Sequence, residues 1–558
     1  MDGQKAGPGG SRPDGGKPPD FDLLRHNLGM ATALEEFLTT TYGPGGRAKL
    51  FDDEKGKVVA TTNGARMLEK LESDHPVTTV LRAAALAQED EWRDGTKAAV
   101  LLGLRLLRRA EEMLDAGVRP LPILEGYRRG LDLAAKKASE VARDVDPTDE
   151  TILLSVARTC LGTWPDGTIR DALAEAVVQA ALQVAEPTEN GWRCDRWKVH
   201  IFPMGGSGFS LETINGYVLK QVRDYHGLPR RVENARIALF DAAPMRGKAG
   251  IHAPRLRWAG ETKFILKSPS GYKELTDWGA EYTREIIRGL QQAGANVVLC
   301  RLGISDHALK LLADAGILGI RRLMRTRRME NLAHATGASL IKDFKTVLEA
   351  DLGQAGLVEE RRYGDEKVTV ITDCADAKLV SLIVRAPGEG LGEQYKDLLR
   401  KAVGAVAAVI EDPRVVVGGS ALEAMASQHV RREAALISGR AQLGAEAFGR
   451  ALEDLAAIMA TNMGLDAVDT LLELRRLHTQ RPTYGLRDGA REPVDLAEGP
   501  VFDPLVIRLA AWARGMDACR TILRVDAFHR SRGTLKEEEV EERKEKGPTP
   551  VKPSLEEN

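Results

Sequence analysis

Apolar positions along the chain follow a helical period near the start, a strand period in the middle and a helical period towards the end. In the first segment the residues Leu24, Leu28, Ala31, Leu34 and Leu38 recur every three or four positions. This spacing predicts an amphipathic helix that runs up to the turn YGPGG. The next segment, DEKGKVVATTNGARMLEKL, predicts a strand, a tight turn and a helix.

A denser apolar helix is predicted after the segment RDGTK, over residues 98–116, with Gly117 at its end and Pro120 beyond. Because this helix is apolar on most sides, we expect it to be buried. Residues 146–215 are helical in pattern at first and then change to short alternating runs near WKVHIFPMGGSG.

From about residue 235 short apolar runs alternate with helical patterns. ARIALF, ANVVLC, ILGIRRL and ASLI predict strands, and SDHALKLLADAG predicts a helix with Ser305 as its N-cap and Gly316 at its end. This alternation predicts a compact, largely parallel α/β domain. After VSLIVRAP the pattern is helical again to about residue 530, which favours nested domains whose two helical ends pair in space.

Composition argues against a membrane protein, a nucleic-acid-binding protein and a disulfide framework. The 558 residues are 43% hydrophobic and 29% charged, with 79 basic and 81 acidic residues, as in soluble multidomain proteins without a nucleic-acid or membrane partner. The five cysteines are scattered and no apolar run reaches the ~20 residues that span a bilayer. The Gly/Pro-rich residues 1–20 and the charged residues 531–558 predict disordered tails. We therefore expect a cytoplasmic protein.

Three glycine-containing turns precede helices: Gly43–Gly46, Arg93–Lys97 and Gly418–Ser420. Such turns bind phosphate because unpaired backbone N–H groups and the helix dipole converge there. Each turn alone is a weak signal, since most turn glycines only shape the chain.

Several longer segments stand in a fixed order along the chain, among them TYGPGGRAKL, RDGTKAAVLL, GGSGFSLETINGYVL, VVVGGSALEAM and NMGLDAVDTLLELRRLH. Together these segments resemble the group II chaperonins, the archaeal thermosome and the eukaryotic TCP-1 ring complex. The resemblance implies a multidomain α and α/β chaperonin fold, assembled as a double ring of self or paralogous subunits that binds unfolded client proteins and uses ATP/ADP with Mg²⁺.

The resemblance also implies three domains. An all-helical equatorial nucleotide-binding domain would comprise residues 21–145 and 405–530. A small intermediate domain would comprise residues 146–215 and 369–404, and an α/β apical client-binding domain with a helical protrusion would comprise residues 216–368.

By the same resemblance the three turns form one nucleotide site. The residues expected to bind nucleotide are Gly43, Pro44, Gly46, Asp94, Gly95, Thr96, Lys97, Gly418, Gly419 and Asp503. Asp94 matches the carboxylate that holds Mg²⁺ in this family, and Asp503 matches an acidic residue near the ribose or base.

Two aspartates that activate the attacking water in the family are replaced. Asn63 and Lys401 occupy the carboxylate positions, and neither an amide nor an ammonium can accept a proton from water. We therefore expect impaired hydrolysis unless Glu411 or Asp412 takes over as the base. Lys97 and Lys401 either hold the triphosphate as point charges or pair with Asp94 and close an empty pocket.

Other features leave alternatives open. The basic cluster RRLMRTRR, residues 321–328, either binds an acidic client or is a solvated turn, and Met245–Gly260 either reshapes the lid or is a plain loop. The histidines His200, His252 and His478 show no metal-ligand spacing. Three functions remain: a chaperonin subunit with impaired ATPase chemistry, a fully active ATP-dependent foldase, and a structural scaffold without a folding role.

Overall fold

The computed structural model describes residues 22–52, 58–73, 75–162, 166–189, 191–241, 250–251, 281, 283–324, 326–342, 347–374, 378–497 and 501–525. The predicted tails at residues 1–20 and 531–558 lie outside these ranges, as does Met245–Gly260 apart from two residues. No helix within the described ranges is long and apolar enough to cross a membrane.

The helices are α1 Asp22–Thr39, α2 Gly64–Lys70, α3 Pro76–Trp92, α4 Thr96–Asp115, α5 Pro120–Val141, α6 Glu150–Leu161, α7 Gly167–Val184, α8 over residues 283–293, α9 Asp306–Asp314, α10 Thr326–Thr336, a 3₁₀ turn Glu349–Asp351, α11 Glu389–Glu411, α12 Ala421–Ala434, α13 Ala441–Asn462, α14 Ala467–Leu477 and α15 Leu505–Leu523.

The strands are β1 Lys49–Asp52, β2 Val58–Thr61, β3 Arg143–Asp144, β4 Ala185–Thr188, β5 Gly191–Cys194, β6 Val199–Gly206, β7 Ser210–Leu219, β8 Arg231–Phe240, β9 Gly250–Ile251, β10 Val297–Cys300, β11 Gly303–Ile304, β12 Leu318–Ile320, β13 Leu340–Ile341, β14 Gly353–Tyr363, β15 Glu366–Cys374, β16 Val380–Pro387, β17 Arg414–Val417, β18 Tyr484–Gly485, β19 Val494–Asp495 and β20 Phe502–Pro504.

Helices from the two ends of the chain share one hydrophobic core, in which α1 to α5 pack with α12 to α15. Their backbones approach closely at glycines: a Cβ on Gly103 of α4 would lie 2.9 Å from the carbonyl oxygen of Gly515 of α15. A Cβ on Gly126 of α5 would lie 2.3 Å from the carbonyl oxygen of Ala441 of α13. Side chains larger than hydrogen at these positions would force the helices apart.

The middle of the chain forms a mixed sheet in the order β12-β10-β8-β14-β15-β7-β16-β6, with β13 paired to β8. The predicted parallel pairing is confirmed among β8, β10, β12 and β13. The expectation of a largely parallel sheet is wrong for β14, β15 and β7, which pair antiparallel. A tight turn at Gly364, with φ +63°, joins β14 to β15 and so forces the antiparallel hairpin.

Local predictions made from caps and periods are confirmed. Ser305 caps α9 by accepting a hydrogen bond from the backbone N–H of Ala308 at 3.2 Å, and Gly316 follows the helix with φ +72°. The long helix α11 packs against α6 and α7 in a separate apolar core. The other face of α11 lies towards the helical core. The candidate site lies between them.

Candidate functional site

A cavity of about 1040 Å³ lies where α4, α6 and α11 meet the turn that follows α1. The sequence-predicted residues that line it are Gly43, Pro44, Gly46, Asn63, Asp94, Gly95, Thr96, Lys97, Lys401, Gly419 and Asp503. Gly418 lies just behind the wall, where its N–H donates to the Val501 carbonyl oxygen at 2.8 Å. The three glycine-containing turns, far apart in sequence, therefore meet at one cavity.

The loop before α4 contains two residues in the left-handed backbone conformation. They are Arg93, with φ +60°, and Gly95, with φ +80°. The amide of Gln88 donates to the backbone carbonyl of Asp94 at 2.8 Å, which fixes the loop from below. No side chain caps the first turn of α4, so its backbone N–H groups remain available to an anion.

The turn at Gly43–Gly46 is held against the end of α13 by hydrogen bonds. The Asn462 amide donates to the carbonyl oxygens of Thr39 and Tyr42, each at 2.7 Å. A Cβ on Gly45 would lie 2.1 Å from the Asn462 carbonyl oxygen. This close approach leaves no room for a side chain at Gly45 and so explains the glycine there.

Lys401 lies against the carboxylate of Asp94. Its Nζ is 3.3 Å from Asp94 Oδ1 and also donates to the Cys160 carbonyl oxygen at 3.3 Å. Burial opposes the charge on both groups, but each stabilises the other: with Arg508, Lys401 holds the pKa of Asp94 below its usual range. Asp94 in turn raises the pKa of Lys401. The ammonium is therefore charged at neutral pH.

Lys97, in the first turn of α4, has a different partner: its Nζ donates to the Thr41 carbonyl oxygen. Burial, together with the nearby Lys401 charge, lowers the pKa of Lys97 to about 7. Lys97 thus gains or loses a proton near neutral pH, unlike Lys401. Of the two lysines, only Lys401 pairs with Asp94.

The Asn63 side chain has a structural role, because it bonds both α2 and α3. Its side-chain oxygen caps α2 by accepting the Arg66 N–H at 3.0 Å, and its amide donates to Glu89 Oε1 at 3.0 Å. Burial raises the pKa of Glu89 to about 7, although the Asn63 hydrogen bond opposes this. A carboxyl group that sequence reasoning missed therefore lies directly behind the replaced position.

The raised pKa of Glu89 predicts a pH-dependent stability. The folded value of about 7 exceeds the 4.5 of an unperturbed glutamate, so the stability it contributes at low pH is lost as the pH rises through 7. Glu89→Gln should therefore gain ~1–3 kcal/mol relative to the unmodified protein between pH 5 and pH 8. Thermal unfolding across this range tests it. Asp90→Asn, which removes an exposed carboxylate from the same helix, is the matched control; an equal gain there would contradict the assignment.

Two carboxylates weighed as replacement bases do not line the cavity. Glu411 pairs with Arg196 at 2.8 Å, and Asp412 pairs with Arg414 at 2.7 Å. Asp397, one helical turn before Lys401, does line the cavity. Its Oδ2 accepts from Arg66 at 2.9 Å, which ties α11 to α2.

Asp503 belongs to a buried ion-pair cluster. Arg508 pairs with Asp503 and lies 3.5 Å from Glu423 Oε1. Asp503 is 7% exposed and Glu423 is 2% exposed. Both carboxylates therefore depend on one guanidinium group, and sequence reasoning identified neither Arg508 nor Glu423.

The remaining sequence features have structural contacts. In the basic cluster, Arg321 pairs with Asp224 and Asp306 at 2.6 and 2.9 Å, and Arg328 bonds Gln221 at 3.0 Å. These contacts favour a turn over the binding of an acidic client for these two arginines. Arg325 lies outside the described residues. Among the residues that the structure describes, no group of three or more His, Cys, Asp or Glu side chains could hold a metal ion.

Comparison with known proteins gives concordant matches. The model of the TCP-1/cpn60 chaperonin family matches residues 34–531. Thermosome subunit beta of Saccharolobus solfataricus is 34% identical over 508 residues, 90% of either chain. The thermosome subunit of Methanopyrus kandleri is 35% identical over 507 residues, 90% of this chain and 91% of its own. The open-state monomer of a group II chaperonin from Methanococcoides burtonii matches at a TM-score of 0.57 and 30% identity, covering 77% of this chain and 100% of its own.

Proposed function

The chain belongs to the TCP-1/cpn60 chaperonin family, and from this we propose that it is a ring-forming chaperonin subunit that binds a nucleotide but hydrolyses it slowly or not at all. The observation that carries the proposal is the composition of the cavity wall. The phosphate-binding turns converge there, while Asn63 and Lys401 stand where the water-activating carboxylates are expected. The binding framework is retained and the proton acceptors are replaced.

Equilibrium binding and steady-state turnover on one purified sample test this proposal. We expect ATP and ADP to bind at a stoichiometry near one per subunit, and phosphate release to stay within the background of a no-enzyme control. Robust turnover by the unmodified protein would contradict the proposed impairment. Absence of binding would contradict the nucleotide site itself.

Gly95 offers a test of the phosphate loop that needs no turnover. A Cβ at this position would lie 2.8 Å from Gln88 Nε2 and 3.1 Å from Ile507 Cγ2, at a φ of +80°. Gly95→Ala should therefore distort the loop and weaken ATP binding at least ~10-fold, because strain and overpacking each cost of the order of 1 kcal/mol or more. Binding measured by calorimetry checks this. Gly117 at the other end of α4 has the same φ and no atom within 4 Å, so Gly117→Ala controls for backbone strain and should bind ATP normally.

The active-foldase alternative rests on Asp397, which lines the cavity one turn from Lys401. Its Oδ2 is taken up by Arg66, and burial raises the pKa of Asp397 despite that pairing. We expect phosphate release by the Asp397→Asn variant to equal that of the unmodified protein, with both at the background level. Measurable turnover that is lost in Asp397→Asn would favour a relocated base and the active-foldase alternative.

We further propose that the subunit assembles into stacked rings with itself or paralogous subunits, and that residues 216–368 bind unfolded protein. Large apolar side chains are exposed on the helical part: Leu121 is 77% exposed and Leu436 is 81% exposed, which supports contacts with neighbouring subunits. Native mass spectrometry tests assembly. Suppression of client aggregation separates this proposal from a scaffold without a folding role.

A further inference from the structure

Groups of the same chain surround the carboxylate of Asp94. Asp94 Oδ1 accepts the Gly95 N–H at 2.7 Å and lies 3.3 Å from the Lys401 ammonium. The thiol of Cys160 lies 3.7 Å from Asp94 Oδ2. The carboxylate that the resemblance assigns to a metal ion thus has donors at both oxygens and a cation already beside it.

This arrangement does not fit a magnesium ion at Asp94. Mg²⁺ requires oxygen ligands at about 2.0–2.1 Å in octahedral geometry. An ion at that distance from Asp94 Oδ1 would lie within a few ångströms of the Lys401 ammonium, and like charges at such a separation repel strongly in a partly buried site. The thiol and ammonium groups near the carboxylate are not ligands that magnesium prefers.

The cavity as a whole is basic. Its charged lining comprises seven basic side chains, Arg93, Lys97, Arg158, Arg170, Lys401, Arg487 and Arg508, and four acidic ones, Asp94, Asp397, Asp488 and Asp503. An excess of basic side chains around uncapped helix N–H groups suits a polyphosphate that brings no metal of its own.

We propose that the Lys401 ammonium takes the place of the divalent cation, so that the cavity binds the polyphosphate of a nucleotide in metal-free form. The inference rests on the proposed nucleotide site and names its ligand more closely. Lys401 is held at the carboxylate by its two contacts, so it cancels the negative charge of Asp94 that would otherwise repel the phosphates. An ammonium has three N–H donors, so one donor beyond these two contacts is left for a phosphate oxygen. A lysine acts as a point charge in such a role.

The test is equilibrium binding of ATP to the intact protein in excess EDTA and in excess Mg²⁺. We expect the dissociation constant in EDTA to be equal to or lower than that in Mg²⁺. Lys401→Met should weaken binding in EDTA at least ~10-fold, since a charge-assisted contact is lost. Lys401→Asp should bind ATP only when Mg²⁺ is present.

Lys396 supplies the matched control. It lies on the same helix, pairs with Glu393 at 2.9 Å and is absent from the cavity wall, so Lys396→Met should leave ATP binding in EDTA unchanged. If the unmodified protein binds ATP in Mg²⁺ but not in EDTA, the inference is overturned and the proposed nucleotide site stands. If it binds ATP in neither condition, the proposed nucleotide site fails as well. The comparison on the unmodified protein decides the question even if the Lys401 variants fold poorly.

Discussion

The double variant Asn63→Asp/Lys401→Asp is expected to hydrolyse ATP ~10²–10⁴-fold faster than the unmodified protein, the range that a general base contributes. Both substitutions place a carboxylate on the wall of the same cavity. Each single variant should gain much less, because residues that act in one step are not additive. Initial rates of phosphate release in Mg²⁺ measure the effect.

Two companion variants make this result specific. Asn63→Ala/Lys401→Ala removes the same side chains without adding carboxylates and should stay at background. A carboxylate at position 63 would lie close to Glu89, which now accepts from the Asn63 amide at 3.0 Å, and the repulsion would hinder its ionisation. Adding Glu89→Gln to the double variant should therefore increase the rate. Equal rates in the aspartate and alanine variants would show that the replaced carboxylates are not what limits hydrolysis.

Arg508→Met is expected to destabilise the protein by ~3–5 kcal/mol at neutral pH, because breaking a buried ion pair leaves uncompensated charge. Asp503 and Glu423, at 7% and 2% exposure, would lose their shared partner. Burial raises the pKa of Glu423 even with Arg508 nearby, and the variant would raise it further. The loss should shrink on acidification, since a protonated Glu423 carries no charge to compensate.

Arg520 on the same helix provides the comparison for Arg508. It pairs with Asp517 at 2.9 Å, with both side chains at least half exposed, and exposed pairs contribute only ~0–1 kcal/mol. Thermal unfolding of Arg520→Met should therefore resemble that of the unmodified protein. A similar small loss in Arg508→Met would contradict the structural role of the buried cluster.

Features set by neighbouring residues were predictable from the sequence. The cap of α9 at Ser305, the helix α4 after the turn Arg93–Gly95 and the parallel strands follow from local periods and caps. The antiparallel half of the sheet was missed because pairing depends on turns and on partners far along the chain.

In the candidate site, the resemblance could assign residues to a cavity but could not assign their contacts. Lys401 and Asp94 meet only because α11 packs against the end of α3, where a Cβ on Gly404 would lie 2.2 Å from the Trp92 carbonyl oxygen. The sequence left open whether the lysines pair with Asp94 or face an anion. Asp397 could have been found, since it precedes Lys401 by four residues on a helix and so shares its face. No local signal connects Arg508 to Glu423, which lies on a different helix.

The most direct test of the central claim is the identity of the nucleotide that remains bound. The unmodified protein is incubated with ATP and Mg²⁺, separated rapidly from free nucleotide, and quenched with acid at increasing times for chromatography. The account predicts near-stoichiometric nucleotide that is still ATP after many minutes. Bound nucleotide recovered as ADP within seconds would contradict it and identify the chain as a working chaperonin ATPase.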